Sequence, residues 1–296
     1  MSCKQAVLSA LALLVVPVLV LVCHPVPKTG TPDTLSARVE AFTGALSASQ
    51  PYRPPDASER ATAARGFADL ISVAKTGKSS LAKLGFTVED LVDPVTRRPY
   101  TLVRNEPGTA RAWGMFLVDR SAPPSLAVEV PHPAFDLRTE LFGLDLFRRT
   151  PGAVLMIAGA HRRAGGDRAD VAHEAGSVFQ VVAADLAGRG LAQVQLHGFD
   201  DESAPGYDIV LSAGAGRAGG AAVRLGAGFG KAGFAVCRAW LLVCAGLEGA
   251  TNVQGRLAET AGTAFLHVEM SRTVRDGDAS RARVVQALAG ADVGRP

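Results

Sequence analysis

From Ser125 onward the chain alternates short apolar runs with helix-patterned stretches, and no other feature narrows its fold so far. Strands are expected at 125–131, 153–159, 192–197, 207–212, 234–237 and 264–269, with helices at 138–149, 170–188, 218–226 and 280–289. Runs of this length bounded by Gly, Pro and Asp fit buried strands, and their alternation with helices predicts an α/β fold. The expected form is three-layered, a mostly parallel sheet with helices on both faces. In such sheets the strand ends of like direction share one edge, where ligands bind.

Before Ser125 the pattern differs. Residues 35–92 read as helical, over Leu35 to Leu46, Ser58 to Lys75 and Ser79 to Leu84, with Asp56 or Ser58 as candidate N-caps. A hairpin follows, 100–104 with 112–118, joined through Pro107-Gly108. The expected division is therefore a helical N-terminal region with a hairpin over 35–120 and an α/β catalytic domain over 121–296. Ahead of both, Lys4 precedes an uncharged run from Gln5 to Cys23, and a Pro/Thr/Gly-rich linker spans 25–34. A short basic start followed by an apolar stretch is the pattern of a secretory signal, or of a membrane anchor if it is retained. Residues 1–24 are read so, which makes the chain exported: extracytoplasmic, secreted or tethered to a membrane. Of four cysteines, Cys237 and Cys244 form the only pair in the body, open to a local disulfide or to two buried thiols. A net charge of +3 with scattered arginines carries no footprint for nucleic acid.

The chemistry-bearing residues cluster where apolar runs end. Pro131-His132-Pro133 leaves a strand abruptly, because neither proline can continue a ladder. Asp136 and Glu140 follow within reach of a shared cation. His197-Gly198 closes a second run, with Asp200 and neighbours behind it. On a third run, period 2 puts Phe265, His267, Glu269 and Ser271 on one face, and a carboxylate there is expensive unless paired or functional. Glu269 thus suits a general base, or a structural ion pair with Arg272 or Arg275. His161-Arg162-Arg163 ends a fourth run and suits substrate anchoring, while Asp170 reads as an N-cap with His173 one turn later. Imidazoles with a carboxylate fit a divalent metal. Gly214-Ala-Gly216-Arg-Ala-Gly219 follows a strand but lacks the acidic residue a dinucleotide needs farther on, and with 32 glycines in the chain such matches are cheap.

Taken in order, Pro131-His132…Asp136…Thr139-Glu140, Leu196-His197-Gly198 and Val268-Glu269-Met-Ser-Arg272…Arg275 resemble the poly-γ-glutamate hydrolase family. The resemblance covers roughly residues 125–280. It implies a zinc carboxypeptidase-like fold and a zinc ion held by His132, Asp136 and His197. It also implies Glu269 as general base, with Arg272 beside it in the catalytic strand. The first segment departs from the family: Pro133-Ala-Phe stands where glycines are usual, and the acid is Asp136, so Glu140 remains a rival ligand. His161, Arg162, Asn252 and Arg256 are the candidates to grip a substrate carboxylate, Asn252 to Arg256 being read as a loop. The expectation is an exported zinc-dependent amide hydrolase for acidic, glutamyl-type peptide-like substrates. The rival is a non-catalytic envelope protein that keeps the fold, with or without a structural metal. A phosphate-ester hydrolase has a basic group in His161-Arg162-Arg163 but lacks a nucleophile.

Overall fold

The computed structural model describes residues 34–72 and 77–293, so the leader and linker readings lie outside it apart from Thr34. The order of elements is α1 (Thr34–Gly44), α2 (Ala57–Ile71), α3 (Gly77–Lys83), β1 (Thr87–Val92), β2 (Pro99–Arg104), β3 (Met115–Asp119) and β4 (Leu126–Val130). There follow α4 (Thr139–Arg149), β5 (Ala153–Ile157), α5 (Val178–Gly188), β6 (Gln193–Phe199), β7 (Ile209–Ser212) and α6 (Gly220–Lys231). The chain then runs through β8 (Val236–Arg238), α7 (Val253–Ala261), β9 (Phe265–Ser271), α8 (Arg272–Asp276) and α9 (Asp278–Gly290). No helix among the described residues is long and apolar enough to cross a membrane.

The strands form one nine-stranded sheet in the order β1-β2-β3-β5-β4-β6-β9-β7-β8. Its centre, β5-β4-β6-β9, is parallel, as the alternation with helices predicts. The flanks are not. β1, β2 and β3 form an antiparallel meander that joins the centre through β3 and β5. β7 enters antiparallel to β9 and carries β8 parallel beside it. The sheet is therefore mixed instead of mostly parallel. The hairpin lies inside that sheet, between β1 and β5, so residues 35–120 are bound into the same body as 121–296.

Alternation along the central strands sends side chains to two cores. Leu126, Val128 and Val130 of β4, with Leu196, Val268 and Met270, pack under α1, α4, α6 and α9. Ala127, Val154, Met156 and Ala158 face the other way, toward Phe67 of α2 and Phe179 of α5. These strands are covered on both faces, which is why they read as apolar runs. From the end of β4 across β6 and β9, however, the second face turns polar: Glu129, Gln195, His197, His267 and Glu269 are all buried there. Helix α7 stands against this polar patch where a loop was expected; Asn252 caps its start and Gly262, at φ +69°, ends it. The expected helix from residue 170 begins only at Val178, capped by Ser177. Cys237 and Cys244 are joined in a disulfide.

Candidate metal centre

His132 is the second residue beyond β4, and the turn it opens decides the site. Its carbonyl accepts from Phe135 N at 3.0 Å and Asp136 N at 2.8 Å, so the chain folds back and brings the two side chains together. Asp136 Oδ2 lies 3.3 Å from His132 Nδ1 and 3.0 Å from His197 Nδ1, the latter carried in register beside Glu269 on β9. Ligating atoms of His132, Asp136 and His197 all fall within 4.8 Å of one another. The same is true of a second set, His197, His267 and Glu269, so both share one imidazole and form one continuous centre.

The outward nitrogens are already engaged. His132 Nε2 meets Asp170 Oδ1 at 2.8 Å, and His197 Nε2 meets Gln195 Oε1 at 2.7 Å. Both oxygens accept, so each Nε2 carries hydrogen, and either ring when neutral directs an Nδ1 lone pair at Asp136. Asp136 Oδ2 and His197 Nδ1 then face each other at 3.0 Å as two acceptors with no hydrogen between them. That arrangement is repulsive until a positive charge enters, and two imidazoles with one carboxylate are a donor set for a divalent cation.

Titration follows the same geometry. Burial disfavours a charged His132, but bonds to Asp136 and Asp170 outweigh it and raise its pKa. Burial likewise pushes Asp136 up, yet the hydrogen bond from His132 holds it well below the usual carboxylate range. A proton on His132 thus stands in for a cation, which on binding would displace it. Burial lowers His197, and burial with the charge of His197 keeps His267 well below its ordinary value. Glu269 is pushed well above its ordinary value by burial and then by Asp136.

A cavity of about 260 Å³ opens onto the centre, walled by Arg162, His173, His267, Glu269 and the loop from Gly246 to Asn252. Glu269 Oε2 and His267 Nδ1 are buried with no hydrogen-bond partner among the described residues. Gly249, at φ +62°, lies close against the His267 ring; a Cβ there would fall 2.6 Å from Nε2.

The other expected residues divide sharply. Arg162 reaches the cavity, donates to Asp170 Oδ2 at 2.5 Å and lies 3.4 Å from His132 Nδ1. His161 instead turns edge-on to the half-exposed Phe135, at 5.7 Å, and accepts from Arg163 N. The guanidinium carbons of Arg162 and Arg163 stand 5.2 and 5.1 Å from that same ring, a cationic rim beside the centre. Asn252 lines the cavity, but its side chain is committed to capping α7 and to Gln195. Arg256 is exposed on α7, and Arg272 pairs with Asp276 at 2.8 Å; neither lines the cavity. Glu140 is packed on α4 toward Glu40 and Arg138, away from the cluster, where burial raises its pKa to about 7. Asp170 caps no helix; it braces His132, Arg162 and His173. Arg275 pairs with no carboxylate as closely as it binds backbone: it donates to Leu137 O, Phe199 O and Met270 O.

Beneath the centre, Glu129 is fully buried, accepts from Gln195 Nε2 at 2.8 Å, and has its pKa pushed up to about 8 by burial. Its folded value lies above the ordinary 4.5, so the unfolded chain loses this proton first. Stability from this group is full below about 4.5 and falls as pH rises toward 8. Glu129→Gln is therefore expected to melt like the parent in acid but to gain on the order of a few kcal/mol over it by mildly alkaline pH. Paired denaturant titrations across that range check it; a gap that does not widen with pH contradicts it.

No family model and no curated protein matches the chain. Among solved structures it is similar to a bacteriophage poly-γ-glutamate hydrolase, at 16% identity and a TM-score of 0.44, over 60% of this chain and 86% of that one. It is also similar to a protein described as a metallopeptidase from Shewanella denitrificans, at 14% identity, TM-score 0.37, over 76% and 88%. An aspartoacylase family protein from Mesorhizobium loti is similar at 14% identity, TM-score 0.38, over 69% and 67%. The first of these bears the family name that the sequence motifs resemble.

Proposed function

We propose that this chain is an exported zinc-dependent hydrolase of amide bonds in acidic, glutamyl-type peptide-like substrates. One observation carries the reading: His132 Nδ1, His197 Nδ1 and Asp136 Oδ2 converge in a buried cluster, while the Nε2 of each ring is engaged by an oxygen of another side chain. His132, Asp136 and His197 would hold the ion, which leaves room for further ligands as catalytic zinc sites do. Bound zinc supplies Lewis acidity toward a carbonyl and makes water a stronger acid. Glu269 Oε2, unpartnered at the cavity wall, takes the proton from the attacking water and delivers it to the leaving nitrogen. The C–O bond forms first, and the C–N bond breaks as the nitrogen takes that proton, so water is divided between a carboxylic acid and an amine. Arg162, with Arg163 behind it at the rim, suits an anionic group on the substrate. The apolar leader pattern and the Cys237–Cys244 disulfide both suit an oxidising, extracytoplasmic setting.

The test is metal content after exhaustive dialysis, followed by turnover on poly-γ-glutamate, γ-glutamyl amides and neutral amides. Stoichiometric zinc is expected, with hydrolysis of the acidic substrates abolished by a chelator and restored by zinc. Failure to retain zinc overturns the reading. Stoichiometric zinc without turnover on any amide hands the fold to the non-catalytic envelope role.

A further inference from the structure

We propose that Gln195 is a positioning residue that decides which ring nitrogen of His197 carries hydrogen, and that the start of α7 locks Gln195 in the orientation this requires. The inference rests on His197 being a ligand, as proposed above, for its consequence but not for its geometry.

Left to itself, a neutral His197 has a strong alternative. With hydrogen on Nδ1 it would donate to the Asp136 carboxylate 3.0 Å away, a charge-assisted bond, and would close the centre to any cation. Gln195 removes that alternative if, and only if, it presents its carbonyl to Nε2. A side-chain amide can turn end for end, so something must hold it.

Two anchors do so, each starting from backbone groups whose polarity is fixed. Gln254 Nε2 donates to the Val171 carbonyl at 2.8 Å and to Gln180 Oε1 at 2.8 Å. Gln254 must then turn Oε1 the other way, 3.0 Å from Gln195 Nε2. From the opposite side, the backbone N–H groups of Gln254 and Gly255 donate to Asn252 Oδ1 at 2.9 and 3.1 Å. Asn252 must therefore present Nδ2, which donates to Gln195 Oε1. Both anchors demand the same face of Gln195, and Glu129 Oε2 takes its remaining amide hydrogen at 2.8 Å. Gln195 and Gln254 are fully buried and Asn252 nearly so, so water does not compete. Hydrogen is thereby placed on His197 Nε2, 2.7 Å from Gln195 Oε1, and the Nδ1 lone pair is kept for a cation.

The experiment reads two signals from Gln195→Leu and Gln195→Glu: the His197 tautomer by long-range ¹H–¹⁵N NMR of metal-free protein, and zinc affinity by chelator competition. The parent is expected to show hydrogen on Nε2. Gln195→Leu, which cannot accept, should shift His197 toward the Nδ1–H form and weaken zinc by about 10- to 100-fold. Gln195→Glu, which still accepts, should keep the parent tautomer and hold zinc within roughly threefold of it, well short of the loss expected without an acceptor. A merely structural residue would not show this split. Hydrogen on Nδ1 in the parent, or an unchanged tautomer in Gln195→Leu, overturns the proposal. The parent spectrum decides even if Gln195→Leu fails to fold. Should the parent bind no zinc, the hydrolase reading fails while the tautomer still judges this inference.

Discussion

Glu269→Gln is expected to lower amide hydrolysis about a thousandfold while leaving zinc content unchanged. The substitution keeps the shape of a side chain that is buried at the cavity wall, with one oxygen unpartnered, but cannot take a proton. Burial first, and the charge of Asp136 second, hold this carboxyl well above its ordinary value of 4.5, with Arg275 and Arg162 drawing it partly back. As a base it works only when ionised. Turnover should therefore climb as pH rises through that elevated value, and the Gln variant should lack this acidic limb. Steady-state rates across pH, with zinc measured on the same samples, check both statements. Equal loss of zinc and activity would show instead that Glu269 is a ligand, joined to His197 and His267.

The second large effect is expected from Arg275→Ala, a loss of about 3–5 kcal/mol in unfolding free energy. Arg275 is 3% exposed, and its fork donates to Leu137 O at 2.7 Å, Phe199 O at 3.0 Å and Met270 O at 3.1 Å. Those carbonyls belong to the turn after Asp136, to the residue two beyond His197, and to the residue after Glu269. One guanidinium thus ties together the three segments that furnish the centre, and truncation removes its bonds to all three carbonyls, two of them buried. Gly198 makes room for it: a Cβ there would lie 2.2 Å from Arg275 Nε, so Gly198→Ala should be destabilised through the same contact. Urea unfolding of metal-free protein measures the effect without reference to catalysis. An Arg275→Ala loss under 1 kcal/mol would remove the clamp from the account.

The central sheet was legible because both its faces are covered, which turns each parallel strand into an apolar run. The meander was less so. β1 carries Glu89 and Asp90 at an edge, half exposed, and lacks the alternation that marks a buried strand. Residues His132, Asp136, His197 and Glu269 could be picked out because a polar group ending or interrupting such a run needs a reason to be there. What sequence could not supply was partnership across the chain. Asp170 looks like a helix cap until the fold brings it 38 positions back to His132. Arg272 and Arg275 look equivalent on paper, yet only Arg275 turns inward. The helix after Asn252 had its own signals, an Asn at the start and a Gly at the end, that the glycine-rich surroundings obscured. Gln195 and His267 lay on the polar side of the period-2 pattern, beside residues already singled out.

The order of strands leaves β1 and β8 at the two rims of the sheet. β8 is only three residues long, and β1 holds its acidic side chains in ion pairs, Glu89 with Arg38 and Asp90 with Lys78. A stranger's backbone seeking to hydrogen-bond onto either rim meets a stub on one side and a fence of charge on the other. Neither border offers the long, flat, greasy template from which fibrils and runaway stacks grow, so the molecule keeps its margins guarded even when crowded with copies of itself.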